Sequence, residues 1–417
     1  MHKVSDRLIL IGVFTSTWGY FRLFGIPLGY ILASIGVVLG LLLQRQVLIR
    51  LSYPFLYLLI LLTITTLLRI AVLPSNSFLN LQSQLIASGS GATREYTRTN
   101  WSNLTFNSYF RWSLSIFLGI LVCRHLFTRS RMRINTFFIF WHLGISVNVL
   151  YAILEKFNVV PNLFVFSTTS IENLRYSGFT VQPNILGSIA LLAIPYAFVP
   201  IVENRKLGVI MTFIEVMILG YGILICGSRI SLALLPIAIL IPFWMPYDKK
   251  VVRLKRVYVS VILGIFAYFA TTFFYPSTTW LSENRFSSEN ASAIQSTNGR
   301  LSLYKGTLQN IITNPIFGYG PAIDKDAHSA YLQVAACLGI QGVIILIWVI
   351  AKALFPRNFR TLYKNLWFRA TFLATILFWA NNVVNNGLTE FYAYFPIIYL
   401  IYEDQTMKQL GSIPNYI

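Results

Sequence analysis

Three arginines, one histidine and a ridge of asparagines are the residues whose types and spacing could act on a substrate. Asn298-Gly299-Arg300 is followed by Asn314-Pro315-Ile316-Phe317-Gly318-Tyr319-Gly320, then by Asp324, Asp326 and His328. A guanidinium fork matches phosphate oxygens through paired, charge-assisted hydrogen bonds. An imidazole of ordinary pKa can accept a hydroxyl proton near neutral pH. Arg175, in Arg175-Tyr176-Ser177-Gly178 shortly before Gln182-Pro183-Asn184, and Arg229, after Cys226-Gly227-Ser228, supply two more guanidiniums. Three such cations at one face could bracket a pyrophosphate. Singly, each reads equally as an anchor at lipid-headgroup depth, and His328 as a capping residue.

Asn381, Asn382, Asn385 and Asn386 stand in i,i+4 pairs at the end of an apolar run, with Glu390 just beyond. Asn381, Asn385, Glu390 and Asp326 are the candidate sugar-binding groups, because amides and carboxylates hydrogen-bond sugar hydroxyls. The amides would serve equally well to bond neighbouring helices. Glu215 lies in the middle of another apolar run, where a carboxylate is costly unless protonated or paired. With His142 it reads as a proton-coupling pair of a transporter or as a buried interhelical hydrogen bond. Cys123, Cys226 and Cys337 sit in apolar runs without the spacing of a disulfide framework or metal site. The reading therefore calls for no metal and no cofactor.

The elements that must position these groups are membrane helices. Hydrophobic residues make up 56% of the 417 and charged residues 11%, against roughly 25% charged in soluble domains, so polar surface is too scarce and lipid must be the solvent. The net charge of +19 is dispersed in short runs between apolar segments, which reads as topology signal and not as a nucleic-acid footprint. Runs of about 20 apolar residues predict twelve spans, near 8–24, 27–43, 51–73, 110–127, 135–155, 183–202, 207–226, 229–246, 257–276, 328–354, 366–386 and 389–402. The amino end shows no small-residue cleavage site, so its first apolar run is expected to stay as a span.

Clusters such as Arg129-Ser130-Arg131-Met132-Arg133 and Lys249 to Arg256 mark the cytoplasmic connections. Both termini are then inside, and the long connections at 74–109, 156–182 and 277–327 lie outside. The expected architecture is all-α: a single membrane domain over 1–417, with a large outer loop at 277–327 between spans 9 and 10. Within that loop Leu301, Tyr304, Leu308 and Ile311 have the spacing of one apolar helix face. That predicts an interfacial helix, with Arg300 beside the stripe at headgroup height.

His328-Ser329, nine residues, and then Gly339-Ile340-Gln341-Gly342 is similar to a pattern of the bacterial O-antigen ligase and polymerase superfamily. The Arg300 segment with its Asn-Pro and Gly-Tyr-Gly, the stretch from Arg175 to Asn184, and Gly227-Ser228-Arg229 also resemble recurring segments of that family. The resemblance implies a twelve-helix, metal-independent, inverting glycosyltransferase of the bacterial inner membrane, with its active face in the periplasm. Its donor would be an undecaprenyl-pyrophosphate-linked glycan, and its acceptor a sugar hydroxyl of the lipid A core or of a growing glycan. Arg300 and Arg229 would neutralise the pyrophosphate, Arg175 would be a third ligand, and His328 would orient or deprotonate the acceptor hydroxyl.

Seven residues separate Gly320 from His328, fewer than in many ligases, and Ser329 stands where Asn is commoner. Ligase, repeat-unit polymerase and protein-directed O-oligosaccharyltransferase therefore stay open. From another class, so does a transporter of anions or lipid-linked sugars.

Overall fold

The computed structural model describes residues 2–23, 26–42, 53–71, 98–127, 131–161, 165–167, 174–180, 182–202, 207–244, 304–320, 329–363, 365–383, 385 and 390–411. The predicted span at 257–276, and Arg300, Asp324, Asp326 and His328 among the candidate residues, lie outside these.

Helices dominate. In chain order they are α1 (His2–Phe14), α2 (Leu28–Leu42), α3 (Tyr53–Ala71), α4 (Arg98–Phe127), α5 (Arg131–Lys156), α6 (Pro183–Ala197), α7 (Val199–Val202), α8 (Gly208–Cys226) and α9 (Arg229–Trp244). After these come α10 (Ala330–Leu354), α11 (Phe359–Leu362), α12 (Leu366–Asn381), a 3-10 turn (Phe391–Tyr394) and α13 (Phe395–Gly411). Two short antiparallel pairs interrupt them: β1 (Arg22–Leu23) with β2 (Ile26–Pro27), and β3 (Val165–Ser167) with β4 (Leu174–Tyr176).

Among the described residues, α8, α10 and the Asn135–Lys156 part of α5 are long and apolar enough to cross a membrane; Leu28–Leu42, Tyr53–Leu68, Pro183–Ala197 and Arg229–Leu240 are shorter apolar helices. These helices are apolar on most of their faces, so they bury large side chains inward and still present Ile, Leu and Val outward. Trp141, Phe137, Phe138, Phe368, Phe395 and Tyr399 are fully enclosed, while Ile210, Ile214, Ile344 and Ile347 are exposed. That distribution is the one lipid as solvent permits.

The helices depart from the predicted runs in three places, the last being 389–402, where a 3-10 turn comes first and α13 runs on to Gly411. The first runs from His2 to Phe14 and gives way to a turn and the β1–β2 pair, ahead of the expected end near 24. Thr15 caps that helix end, its hydroxyl donating to the Ile11 carbonyl at 2.9 Å. In the fourth case α4 begins at Arg98, inside the stretch read as the outer loop 74–109. Hydropathy reports only the part of a helix that lipid must cover, and a helix can continue into polar surroundings with its backbone bonds intact.

α6 is the hub of the packing, touching α5, α8, α9 and α12, and all but two of its residues are buried. Gly187 permits the closest approach: a Cβ there would come within 2.8 Å of Cys226 Sγ and of Ser228 Cβ. The joint between α8 and α9 is thereby seated directly on α6.

α10 is broken. Gly339 has φ 69° and ψ −167°, a conformation closed to residues with a Cβ. The break frees main-chain groups, and the 315–320 segment takes them up. Ile340 N donates to Pro315 O at 2.8 Å, while Tyr319 N and Gly320 N donate to Ala336 O and Cys337 O at 2.7 and 2.8 Å. Ahead of this segment 304–313 is helical. Leu308 and Ile312 are its exposed apolar residues, with Ile316 and Phe317 extending the edge. Tyr304 and Ile311 are half-buried, so the outward face is rotated by about one residue from the predicted stripe.

Candidate functional site

Arg175 is delivered by the β3–β4 hairpin, where it lies opposite Phe166. The chain then turns sharply through Gly178, at φ 55°. The turn is pinned by Phe179 N donating to Asn148 Oδ1 at 2.7 Å and by Thr180 Oγ1 donating to Ser177 O at 2.6 Å. Pro183 opens α6 at its first turn, where its fixed φ suits a helix start and its missing N–H is not needed. Asn184 follows on that turn. Arg175 donates from Nη2 to Asn184 Oδ1 at 2.6 Å and from Nε to the Cys226 carbonyl at 2.7 Å.

Cys226 is the last residue of α8, and Gly227 closes that helix in the left-handed region at φ 62°. Ser228 leads into α9, its hydroxyl 2.9 Å from that of Ser231. Arg229 is therefore the first residue of α9, half-buried, at the helix end whose unpaired N–H groups favour anions.

The asparagine ridge closes onto the same place. Asn381, at the end of α12, is fully buried. Its Nδ2 donates to Ser188 Oγ and Ser231 Oγ, both at 3.0 Å, and its Oδ1 accepts from Asn385 Nδ2 at 2.5 Å. Ser188 in turn donates to the Asn184 carbonyl at 2.9 Å. Ser329, the residue bonded to His328, caps α10 with its hydroxyl 3.5 Å from Leu332 N. Ala330 N donates to the carbonyls of Asn382 and Asn385 at 2.9 and 3.0 Å. The start of α10 thus rests on the turn that ends α12.

Arg175, the start of α9, Asn381, Asn385 and the start of α10 consequently form one hydrogen-bonded assembly. Glu390 is not part of it. Its Oε1 is bonded by Arg111 Nη2 and its Oε2 lies 3.4 Å from the hydroxyl of Tyr30, which ties the approach to the 3-10 turn to α4 and α2. Glu215 is also elsewhere: Oε1 accepts from Ser146 Oγ at 2.7 Å and lies 2.7 Å from His142 Nε2. Among the described residues no three His, Cys, Asp or Glu side chains gather as metal ligands.

Three site residues escaped the sequence reading: Ser188, Ser231 and the carbonyl of Cys226. The signal for Ser188 was present, since Asn184 and Ser188 are one helical turn apart within an otherwise apolar run. Small polar residues at that spacing bond across helices in lipid.

Residues 214–347 match the O-antigen ligase family. The matched stretch, about a third of the chain, runs from Glu215 through the α8–α9 joint and Arg229 to the middle of α10. It includes Arg300, His328 and both glycines of Gly339-Ile340-Gln341-Gly342. Arg175, Asn184, Ser188, Asn381 and Asn385 lie outside it, yet Arg175 bonds its Cys226 carbonyl and Asn381 its Ser231 hydroxyl. The match and the apolar helices support a bacterial membrane protein of the O-antigen ligase and polymerase superfamily. No curated protein matches the chain.

Proposed function

We propose that the chain is an inverting membrane glycosyltransferase of the ligase type. It transfers a glycan from undecaprenyl pyrophosphate to a sugar hydroxyl of the lipid A core, on the periplasmic face of the bacterial inner membrane. The observation that carries this reading is the O-antigen ligase match over 214–347, which encloses Arg229, Arg300 and His328. In this reading the chain is a single membrane domain of twelve spans with both termini in the cytoplasm. The 277–327 loop and its interfacial helix face outward.

The acceptor oxygen attacks the anomeric carbon as the bond from that carbon to the pyrophosphate oxygen breaks. The hydroxyl proton passes to His328, and undecaprenyl pyrophosphate departs. Negative charge grows on the leaving oxygens, and fixed cations at a partly desolvated site stabilise it. Arg300 and Arg229 supply that charge, with Arg229 favoured by the start of α9. Arg175 has two of its donors committed to Cys226 and Asn184, so it orients the Arg229 turn and is the third candidate ligand of the pyrophosphate. Asp326, Asn385 and Glu390 are the candidates for contact with the glycan, and the acceptor is recognised there or by the loop around Asp326.

A second reading, repeat-unit polymerisation with a growing glycan as acceptor, is favoured by the seven residues between Gly320 and His328, which leave little protein to grip a bulky core. A deletion strain of a lipopolysaccharide-bearing host separates the two on a gel. Ligase loss leaves bare lipid A core and accumulated carrier-linked polymer, whereas polymerase loss leaves core carrying one repeat unit. The enzyme reading as a whole falls if purified His328→Ala and Arg300→Ala both transfer glycan at the wild-type rate. Arg300→Lys is expected to be markedly impaired, since lysine keeps the charge and loses the fork.

A further inference from the structure

Asn381 has no exposed surface and cannot touch a sugar, yet it is bonded towards each of the three elements that carry the candidate chemistry. Its Nδ2 reaches Ser231, two residues after Arg229, and Ser188, which bonds the Asn184 carbonyl. Asn184 in turn holds Arg175. Its Oδ1 accepts from Asn385, whose carbonyl, with that of Asn382, receives the N–H of Ala330, two residues after His328. These partners come from α6, α9 and the turn that follows α12, with the two serines separated from Asn381 by 193 and 150 residues.

We propose that Asn381 is a positioning residue: one buried amide that sets the register of the Arg175, Arg229 and His328 elements relative to one another. The proposal rests on the glycan-transfer reading for its consequence in turnover, and on the hydrogen bonds alone for its structural content.

The physical argument is one of geometry and alternatives. Both faces of the amide are in use, and with no exposed surface it would be left unsatisfied by the loss of a partner, at a cost. The two serine hydroxyls share a single Nδ2, so a shift of α6 against α9 breaks at least one bond. Fully bonded buried polar groups select one packing out of several apolar ones of similar energy. A transfer site needs that selection, because misplacing a catalytic group by about 1 Å can cost on the order of 100-fold in rate.

The test has two arms on the purified full chain. In hydrogen exchange, Asn381→Ala should raise exchange together at 182–188, 228–232 and 329–333, while the α1–α2 contact stays protected. Ser231→Ala, which removes a single spoke, should open 228–232 and leave 329–333 as it is. In turnover, Asn381→Ala should lower kcat on the order of 100-fold with KM little changed. The same substitution in a His328→Ala background should cost far less, because groups acting as a unit are strongly non-additive. Thr375→Val serves as the control: Thr375 is buried in the same helix and bonds the Thr371 carbonyl, and its loss should leave kcat unchanged.

Exchange that rises within 378–385 alone, or evenly over the protein, overturns the proposal. So does an equal kcat loss in both backgrounds, or from Thr375→Val. A wild-type protein with no transferase activity would sink the enzyme reading, and the exchange pattern would then decide the register role by itself.

Discussion

The guanidinium of Arg175 caps helix α8, its Nε donating to the Cys226 carbonyl at 2.7 Å, one residue before the left-handed Gly227. A helix C-terminus carries partial negative charge on its unpaired carbonyls, and a cation there is stabilising. Because Nη2 is at the same time bonded to Asn184, this one side chain fastens the end of α8 to the beginning of α6. The turn that launches Arg229 is held from behind.

Arg175→Lys is expected to lower stability as well as transfer. Lysine retains the charge but places all its donors on one nitrogen and loses the planar fork that spans the two acceptors, and each lost hydrogen bond to a charged group costs roughly 1.5–3 kcal/mol. Thermal unfolding in detergent should show a reduced Tm for Arg175→Lys. Asn184→Ala should show part of the same loss, and the double variant should fall short of the sum. Independent, additive losses would disconnect the two residues.

The break in α10 yields a contrast between glycines. A Cβ at Gly339 would stand 2.2 Å from the Ile316 carbonyl oxygen, in a backbone conformation of positive φ, whereas at Gly220 the nearest atom, Leu235 Cδ2, is 4.0 Å away. Gly339→Ala should therefore cost more than the roughly 1–3 kcal/mol of backbone strain alone and release the 315–320 segment to protease. Gly220→Ala should be neutral or stabilising by up to about 1 kcal/mol, as for alanine replacing glycine within a helix. Similar Tm values for the two variants would remove the break as a structural requirement.

Glu215 separates enzyme from transporter. Its Oε1 accepts from Ser146 and lies beside His142, and a glutamine there can keep the Ser146 bond. Glu215→Gln should transfer glycan at close to the wild-type rate, while Glu215→Ala should be less stable by about 1–3 kcal/mol through orphaned polar groups. Folded Glu215→Gln protein that has lost cellular function, alongside active Arg300→Ala and His328→Ala, would favour a proton-coupled carrier.

The Arg111–Glu390 pair is expected to act in stability. Both carboxylate oxygens of Glu390 have protein partners, so Arg111→Ala, Glu390→Ala and the double variant should show coupling of about 0.5–3 kcal/mol in a double-mutant cycle. The KM for donor should hold across the series. A raised KM in Glu390→Ala alone would give Glu390 a sugar-binding role instead.

Much of the helical frame was legible, because a helix in lipid must be apolar along about 20 residues and a chain 56% hydrophobic announces such runs. α8, α10 and most of α5 lie where the runs predicted. The early start of α4 at Arg98 and the β3–β4 pair were not legible. Polar helix and short hairpin leave no hydropathy signal, and a three-residue strand takes its stability from what it packs on.

The sequence by itself determined the solvent, the helical class and the residue types able to meet a pyrophosphate. Each of those follows from local composition or from a single side chain's chemistry. Only the tertiary structure decided which of the polar residues work together. Asn381 and Glu390 are nine positions apart in the chain, yet one is bonded to Ser188 and Ser231 and the other to Arg111 and Tyr30. These partners lie 150 to 360 residues away. Such pairings are chosen by how α6, α9 and α12, or α2 and α4, pack against one another. An asparagine's donors and acceptors are the same whichever helix they face, and packing alone selects the partner.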